Sequence, residues 1–531
     1  MRFSAKLFTV FRPCIVLAAC LISANVHAAG KATHVVVIVW DGMRPDFVTP
    51  ETTPALWKLA SQGVIFKRHH PVYISSTEVN GTALATGAYP QESGIVGNNE
   101  FRPAINASKP IMTAEIEAVR QGDAVTGDQY LAVPTMAERL HQLGLHTAVA
   151  GAKTVALLQD RAPRPGTSPD ITLFEGNVLP ENLSNRLTTL LGKFPAASPV
   201  KTNRDLWTTQ ALTGLLWEKG VPALSVLWLS EPDATQHATG PGSEASLAAI
   251  RSSDDNLARV LAALKQQHAA EQTDVIIVSD HGFSTIATNA DIAALLKQQG
   301  FSAARELPAT GDRPGDILVV SNGGTAFLYV VGHDSALIEK VVHWLQIQPF
   351  AGVVFTRKPV EGTFSLADAR ISSASAPDIA LSMRWWPDKS SNGTPGLLAL
   401  DARAYRPGQG SHASLSPFDM HNTCVAAGPD FRRGFADDLP TGNIDIAPTV
   451  LWILGAEPKS KLSGRVLCEA LAAAPAPVPV CHPHHLEASW RTEDSTWRQY
   501  LDSSEVNGTL YLDQGNGELS KSGSAVPKSG N

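Results

Sequence analysis

The chain is short of cysteine, of excess charge and of long apolar runs, and each shortage removes a class of function. Only 5 of its 531 residues are cysteines, far below the density of a disulfide-held scaffold, so the fold must rest on a hydrophobic core. Its net charge is -7 with 18% charged residues, which supplies no electrostatic reason to expect nucleic-acid binding but is compatible with a small phosphorylated substrate. The early apolar stretch Cys14 to Ser23 is too short to span a bilayer comfortably, and no later stretch is long enough. Neither a P-loop nor the glycine fingerprint of a dinucleotide fold occurs, and no internal repeat is present. A hydrophobic content of 44% is that of an ordinary globular protein, and the length allows one large α/β domain with insertions.

Both ends carry processing or linker signals. Arg2, Lys6 and Arg12 precede the apolar stretch and Val26-His27-Ala28 follows it, so residues 1–28 read as a signal peptide and export to the periplasm or the exterior is expected. Leu17-Ala18-Ala19-Cys20 also fits a lipobox, which leaves a form lipid-anchored through Cys20 as a second reading. Cys424, Cys468 and Cys481 remain after cleavage; Cys468 and Cys481 read either as a disulfide across a Pro-rich loop or as free thiols. Residues 472–531 are expected to be a Pro-rich linker and a polar tail, part of which packs on the body through Trp490, Trp497, Tyr500 and Tyr511.

Between these ends the pattern alternates strand and helix. Apolar runs at His34 to Trp40, Val72 to Ser75, His146 to Ala150, Leu224 to Leu229 and Asp274 to Ser279 predict strands. Segments at Pro54 to Gln62, Pro134 to Leu143, Asp205 to Glu218 and Ala245 to Gln266 predict helices between them. Such alternation predicts a largely parallel, doubly wound α/β sheet flanked by helices over residues 32–471, with an insertion or cap within 284–410.

The chemistry gathers at the predicted strand ends. Thr-Asp-Val-Ile-Ile-Val-Ser-Asp280-His281-Gly282 stops an apolar β-branched run at a carboxylate and an imidazole. Asp41 follows the first strand, Thr77 and Asn80 the second, Asp233 and His237 the strand at Trp228, and His412 lies in Gly410-Ser411-His412. An isolated Asp after a strand is usually a turn or cap residue. Here carboxyl ends of parallel strands converge on one crevice, and several carboxylates together demand a cation. Lys153 follows a further strand and reads as a phosphate contact or as a solvated loop lysine. His69-His70 and His482-Pro483-His484-His485 have no place in this ordered set and read as surface histidines; Tyr89 and His421 read as supporting residues near it.

The ordered set, with Thr86-Gly87-Ala88-Tyr89-Pro90 after Asn80 and Glu231-Pro232 before Asp233, resembles the alkaline phosphatase superfamily, and within it the nucleotide pyrophosphatase/phosphodiesterase family. Asp445 to Gly455 and Gly464 to Leu467 resemble the superfamily's closing segment, so the likeness runs from about His34 to Leu471. It implies two divalent metal ions, normally zinc: one held by Asp41, Asp280 and His281 with Thr77, the other by Asp233, His237 and His412. It implies Thr77 as nucleophile, a phosphorylated Thr77 intermediate, and Asn80 on a substrate oxygen. The substrate expected is a phosphodiester or nucleotide, with a phosphomonoester or phosphonate as the alternative and a non-catalytic binding protein as the reading from another class. The formylglycine signature of sulfatases is absent around Thr77. One departure stands out: relatives carry Thr-Phe-Pro-Asn where this chain has Thr77-Glu78-Val79-Asn80, which removes an aromatic side chain able to meet a nucleobase. Glu78 either adds negative charge to the site or faces solvent.

Overall fold

The computed structural model describes residues 30–308, 313–402, 404–457, 461–473 and 479–521. The expected signal peptide, Cys20 and most of the Pro-rich linker lie outside the described residues.

Strand β1 (His34–Trp40) forms the middle of the molecule. Its Val35, Val37 and Val39 enter one hydrophobic core, and Val36, Ile38 and Trp40 enter another. Successive side chains of a strand point to opposite faces, so a strand covered on both sides reads as an unbroken apolar run. Around it lie β2 (Val64–His70), β3 (Thr147–Gly151), β4 (Ile171–Phe174), β5 (Asn177–Leu179), β6 (Leu224–Leu229), β7 (Thr273–Val278), β8 (Cys424–Ala427) and β9 (Phe435–Gly442). The sheet order is β9-β2-β8-β7-β1-β6-β3-β4-β5. Only β8 and β5 run against the rest.

The second strand is β2, not Val72 to Ser75. The Lys, Arg and His residues at 67–70 hide β2's strand character, whereas Tyr73 and Ile74 are apolar because they are buried in the core while crossing as a loop. That loop, reached from helix α1 (Pro54–Gln62) through β2, delivers the chain to helix α2 (Thr77–Thr86).

Register explains why the strand ends meet. Val39 pairs with Val278 and Trp40 with Leu229, so Asp41 emerges level with Asp280 on one side and with Ser230 on the other. Helix α3 (Asp233–Thr239) begins just beyond. Residues 284–410 form a four-stranded and a six-stranded sheet beside the main one. Ser284 pairs with Ser411, so the inserted region closes on itself and returns His412 to the place where it left His281.

Residues 481–521, expected to belong to a tail, form strands instead. Strands β10 (Cys481–Arg491), β11 (Ser495–Val506) and β12 (Thr509–Lys521) form an antiparallel sheet. Gln499 exchanges two hydrogen bonds with the backbone of Val354, at 2.9 and 3.1 Å. Trp497, Leu501 and Tyr511 are buried. Cys468 and Cys481 are free thiols, not a disulfide. Among the described residues no helix is long and apolar enough to cross a membrane.

Tyr511 anchors this sheet: its hydroxyl donates to Asp445 Oδ2 at 2.7 Å and accepts from Arg465 Nε at 2.9 Å. Tyr511→Phe leaves both partners buried with one bond fewer, and should cost about 1–3 kcal/mol in urea unfolding. An unchanged midpoint would show that the docking does not depend on this hydroxyl.

Candidate active site

Asp41, Asp280 and His281 each bring a ligand atom within 4.8 Å of the others, and Asp233, His281 and His412 do the same. All five are buried. His281 Nε2 lies 3.6 Å from Asp41 Oδ1, 3.3 Å from Asp280 Oδ2 and 3.3 Å from Thr77 Oγ1. Asp233 Oδ1 lies 3.1 Å from His237 Nε2 and 3.6 Å from His412 Nε2. The imidazoles of His281 and His412 stack at 3.6 Å, so His281 stands between the two groups. Every metal ligand expected from the sequence is therefore in one cleft.

The tautomers are fixed from behind. His281 Nδ1 meets the carbonyl of Gly282 at 2.8 Å, His237 Nδ1 that of Gly410 at 2.9 Å, and His412 Nδ1 that of Ser75 at 2.9 Å. A carbonyl only accepts, so each Nδ1 carries a hydrogen and each Nε2 is left facing the cleft, with a lone pair to offer whenever its ring is neutral. Burial, then the neighbouring His281 and His237, push His412 well below the usual histidine range. Burial also lowers His281 despite Asp41 and Asp233. His237 is different: burial pulls it down, but Asp233 outweighs that and holds it above its ordinary value.

The carboxylates show the same division between back and front. Asp41 Oδ2 accepts from Trp228 Nε1 at 2.9 Å, and Asp280 Oδ1 accepts from the N–H of Gly42 at 3.0 Å and of His281 at 3.1 Å. Gly42 has φ +70°, and a Cβ there would sit 2.9 Å from the Phe283 ring, so the turn that aims this N–H requires glycine. In front, Asp41 Oδ1, Asp233 Oδ1 and Asp280 Oδ2 are buried without a hydrogen-bond partner. Burial and the nearby Asp41 push Asp280 well above the usual carboxylate range. Three orphaned carboxylate oxygens facing three imidazole lone pairs form a donor set that divalent cations fit, with mixed Asp/His ligation of the zinc type.

Thr77 is the first residue of α2, after Ser76 in extended conformation, and so lies where helix N–H groups point outward. Asn80, expected on a substrate oxygen, is instead committed to the frame. It has no exposed surface, its Nδ2 donates to the carbonyls of Val72, Ile74 and Ser76, and its Oδ1 accepts from Val72 N and Asn443 Nδ2. It ties down the loop that delivers Thr77. Asn98, which the sequence marks only as a turn residue after Gly97, stands nearer the site: its Oδ1 accepts from the N–H of Glu78 at 3.0 Å, and its Nδ2 has no hydrogen bond among the described residues. Asn443 was also unforeseen; it donates to the carbonyl of Asp280 at 2.7 Å and to Asn80.

Glu78 does not simply face solvent. Its Oε2 is buried and unpartnered, and its carboxyl is pushed up to about 7 by burial, against Lys153 and with Asp41 and Asp233. Lys153 is no solvated loop lysine either. Its Nζ donates to Asp41 Oδ2 and to Asp233 Oδ2, each at 2.9 Å, with a side chain 19% exposed. Burial opposes its charge, but Asp233, Asp41 and Asp280 outweigh burial and raise it well above the usual lysine range.

The residues set aside fall outside this cleft. His69 and His70 are buried, not on the surface, while residues 482–485 lie on the exposed strand β10. Tyr89 bonds to Leu510, and His421 approaches His70; both stand towards the C-terminal sheet. Asn80→Ala should therefore act on stability: we expect a loss of about 3 kcal/mol, from two to three stranded buried groups, with turnover reduced only a few-fold. A large fall in kcat at unchanged stability would restore Asn80 to the substrate.

Residues 35–350 match the family model described as type I phosphodiesterase / nucleotide pyrophosphatase. Mouse ectonucleotide pyrophosphatase/phosphodiesterase family member 3 is 24% identical over 250 residues, covering 47% of this chain and 24% of that protein. Rat family member 7 is 25% identical over 289 residues, covering 54% of this chain and 57% of that protein. Venom phosphodiesterase of Naja atra is 23% identical over 256 residues, covering 47% and 26%. The match thus spans about a quarter of the length of the larger relatives. Among solved structures, murine ectonucleotide pyrophosphatase/phosphodiesterase 5 superposes with a TM-score of 0.58 at 18% identity, over 83% of this chain and 100% of that one. An inactive threonine-to-alanine form of it, in complex with AMP, gives 0.58 at 17%, with the same coverage. The fold is accordingly of the alkaline-phosphatase-like α/β type, and with more than half of its length matched, this chain belongs to the type I phosphodiesterase / nucleotide pyrophosphatase family.

Proposed function

We propose that this protein hydrolyses phosphodiesters or nucleotide pyrophosphates outside the cytoplasm through Thr77. The observation that carries the reading is the set of orphaned oxygens on Asp41, Asp233 and Asp280, met by the Nε2 lone pairs of His237, His281 and His412 beside the Thr77 hydroxyl. Asp41, Asp280 and His281 with Thr77 would hold one zinc ion, and Asp233, His237 and His412 the other. When bound, these ions lower the pKa of a coordinated hydroxyl and offset charge on the reacting oxygens.

The rest of the chemistry lies with the chain. Thr77 Oγ1 attacks phosphorus, the bond to the leaving oxygen breaks, and water later cleaves the Thr77–phosphoryl ester. The amino end of α2 presents N–H groups towards the transferred group. Asn98, held through its Oδ1, has Nδ2 free to donate to a non-bridging oxygen. Lys153, whose Nζ bridges Asp41 and Asp233, would turn its ammonium to a phosphoryl oxygen where cations held those carboxylates. A phosphomonoesterase is the second reading, favoured by Lys153, whose charge matches a dianionic group; the carboxyl of Glu78 beside the nucleophile opposes it. Export is supported by the pattern of residues 1–28.

Zinc-loaded protein should be compared on p-nitrophenyl phosphate, bis-p-nitrophenyl phosphate, a p-nitrophenyl nucleotide ester, a phosphonate ester and a sulfate ester. We expect the two diesters to lead; a leading monoester would favour the second reading, and no turnover of any would sink both. Thr77→Ala should lose roughly 10³-fold or more in kcat with bound metal retained, whereas full activity would remove Thr77 from the reaction. Chelation should abolish turnover and zinc restore it. Lys153→Met should cost about 10–100-fold in kcat/KM, and an unaffected variant would leave Lys153 a mere counter-ion.

A further inference from the structure

A second cluster of ligand-type side chains lies away from the cleft. His70 ends β2, His421 precedes β8, and Asp513 sits in β12 of the C-terminal sheet. One atom of each lies within 4.8 Å of the other two. His70 Nδ1 meets the carbonyl of Thr441 at 3.0 Å, so its hydrogen is used there and Nε2 presents a lone pair inward. That lone pair faces Asp513 Oδ1 at 3.0 Å and His421 Nε2 at 3.1 Å. Two imidazole nitrogens and a carboxylate oxygen thus converge on one point, and without an ion they are served either by a second proton on His70 or by a hydrogen that His421 Nε2 donates to His70 while Arg68 meets Asp513.

We propose that these three residues bind a third divalent ion, a zinc, distinct from the catalytic pair and structural in role. Two ligands across a tetrahedral zinc with bonds of about 2.1 Å lie roughly 3.4 Å apart, so the observed spacings need open only by a few tenths of an ångström. The back of the site is built as metal sites are: His70 is oriented by Thr441, and Asp513 Oδ2 accepts from Ser504 Oγ at 2.8 Å. Imidazole and carboxylate ligands suit zinc rather than calcium or magnesium. Asp513 and His421 are half-buried, which leaves a side open for water as a fourth ligand. The neighbouring cation is Arg68, whose Nη2 lies 3.4 Å from Asp513 Oδ1 and also donates to Ser504 Oγ at 3.0 Å. Its side chain is 40% exposed, so solvent could replace these contacts.

The ion would clamp three parts of the chain that are far apart in sequence: the main sheet at β2, the segment leading to β8, and the C-terminal sheet. It would also stiffen the catalytic platform from behind. His69, next to His70, meets Asn443 Oδ1 through Nε2 at 3.0 Å, and Asn443 holds the carbonyl of Asp280.

Diffraction from crystals of the zinc-loaded full chain, recorded on both sides of the zinc absorption edge, tests this directly. We expect an anomalous peak within about 2.1 Å of His70 Nε2, His421 Nε2 and Asp513 Oδ1, in addition to any at the catalytic cleft. In solution, Asp513→Asn and His421→Gln should each retain one zinc fewer per chain than the unaltered protein. They should keep diesterase turnover within a few-fold and lose part of the thermal stabilisation that zinc confers. If Asp513→Asn fails to fold, His421→Gln, at a half-buried position, carries the same measurement. No peak at this cluster, with equal zinc content in all three proteins, would overturn the proposal in favour of a purely hydrogen-bonded His70–His421–Asp513 cluster. Because the readout is a peak at a named place, it stands apart from whether the cleft hydrolyses diesters.

Discussion

Mutual repulsion among Asp41, Asp233 and Asp280 is the constraint on which the rest of the site depends. Three buried carboxylates held this close are unfavourable unless a cation lies among them, and the fold does not let them move apart. Each is fixed from behind by a group that only donates: Trp228 Nε1 and the Gly42 N–H for Asp41 and Asp280, and Lys153 for Asp233. Lys153 neutralises part of the charge by bridging Asp41 and Asp233. Its ammonium holds the Oδ2 atoms of these two carboxylates and leaves their Oδ1 atoms open, so Lys153 stabilises the cleft and still leaves oxygens that a metal ion could take.

The sheet and the set of residues that meet in the cleft were legible in the sequence because both follow from strong local signals. β1, β6 and β7 read as buried strands from unbroken β-branched or apolar runs, and each ends at a residue whose chemistry contrasts with the run before it. What the sequence concealed was local geometry. Asn80 lies one helical turn from Thr77, which makes it look available to the substrate, but the loop at 72–76 folds back over it and, with Asn443, takes its hydrogen-bonding capacity. Asn98 comes from a turn with no periodicity, so nothing before the structure tied it to Glu78. β2 was missed because its outer half is basic, and basic residues at a strand near the sheet edge carry no apolar pattern.

The C-terminal region shows a different limit. Its strands alternate polar and apolar residues at moderate strength, and β10 is largely exposed, so the composition resembles a tail. Its burial comes from long-range partners, Val354, Asp445 and Arg465, which no local reading supplies. Docked there, the sheet reaches both the inserted region and the main body, and braces the insertion from outside.

The pairing of Ser284 with Ser411 has a temporal meaning as well as a spatial one. Asp280 and His281 lie before the inserted region and His412 immediately after it, so the chain carries an incomplete ligand set until the two inserted sheets have folded and brought their ends together. Closing so long a loop is costly unless the loop's own structure shortens it. The candidate ligand set is therefore complete only where the insertion has folded and its ends have met. The cleft is thus a check on whether the insertion has been made correctly, because only a folded insertion sets His412 back beside His281.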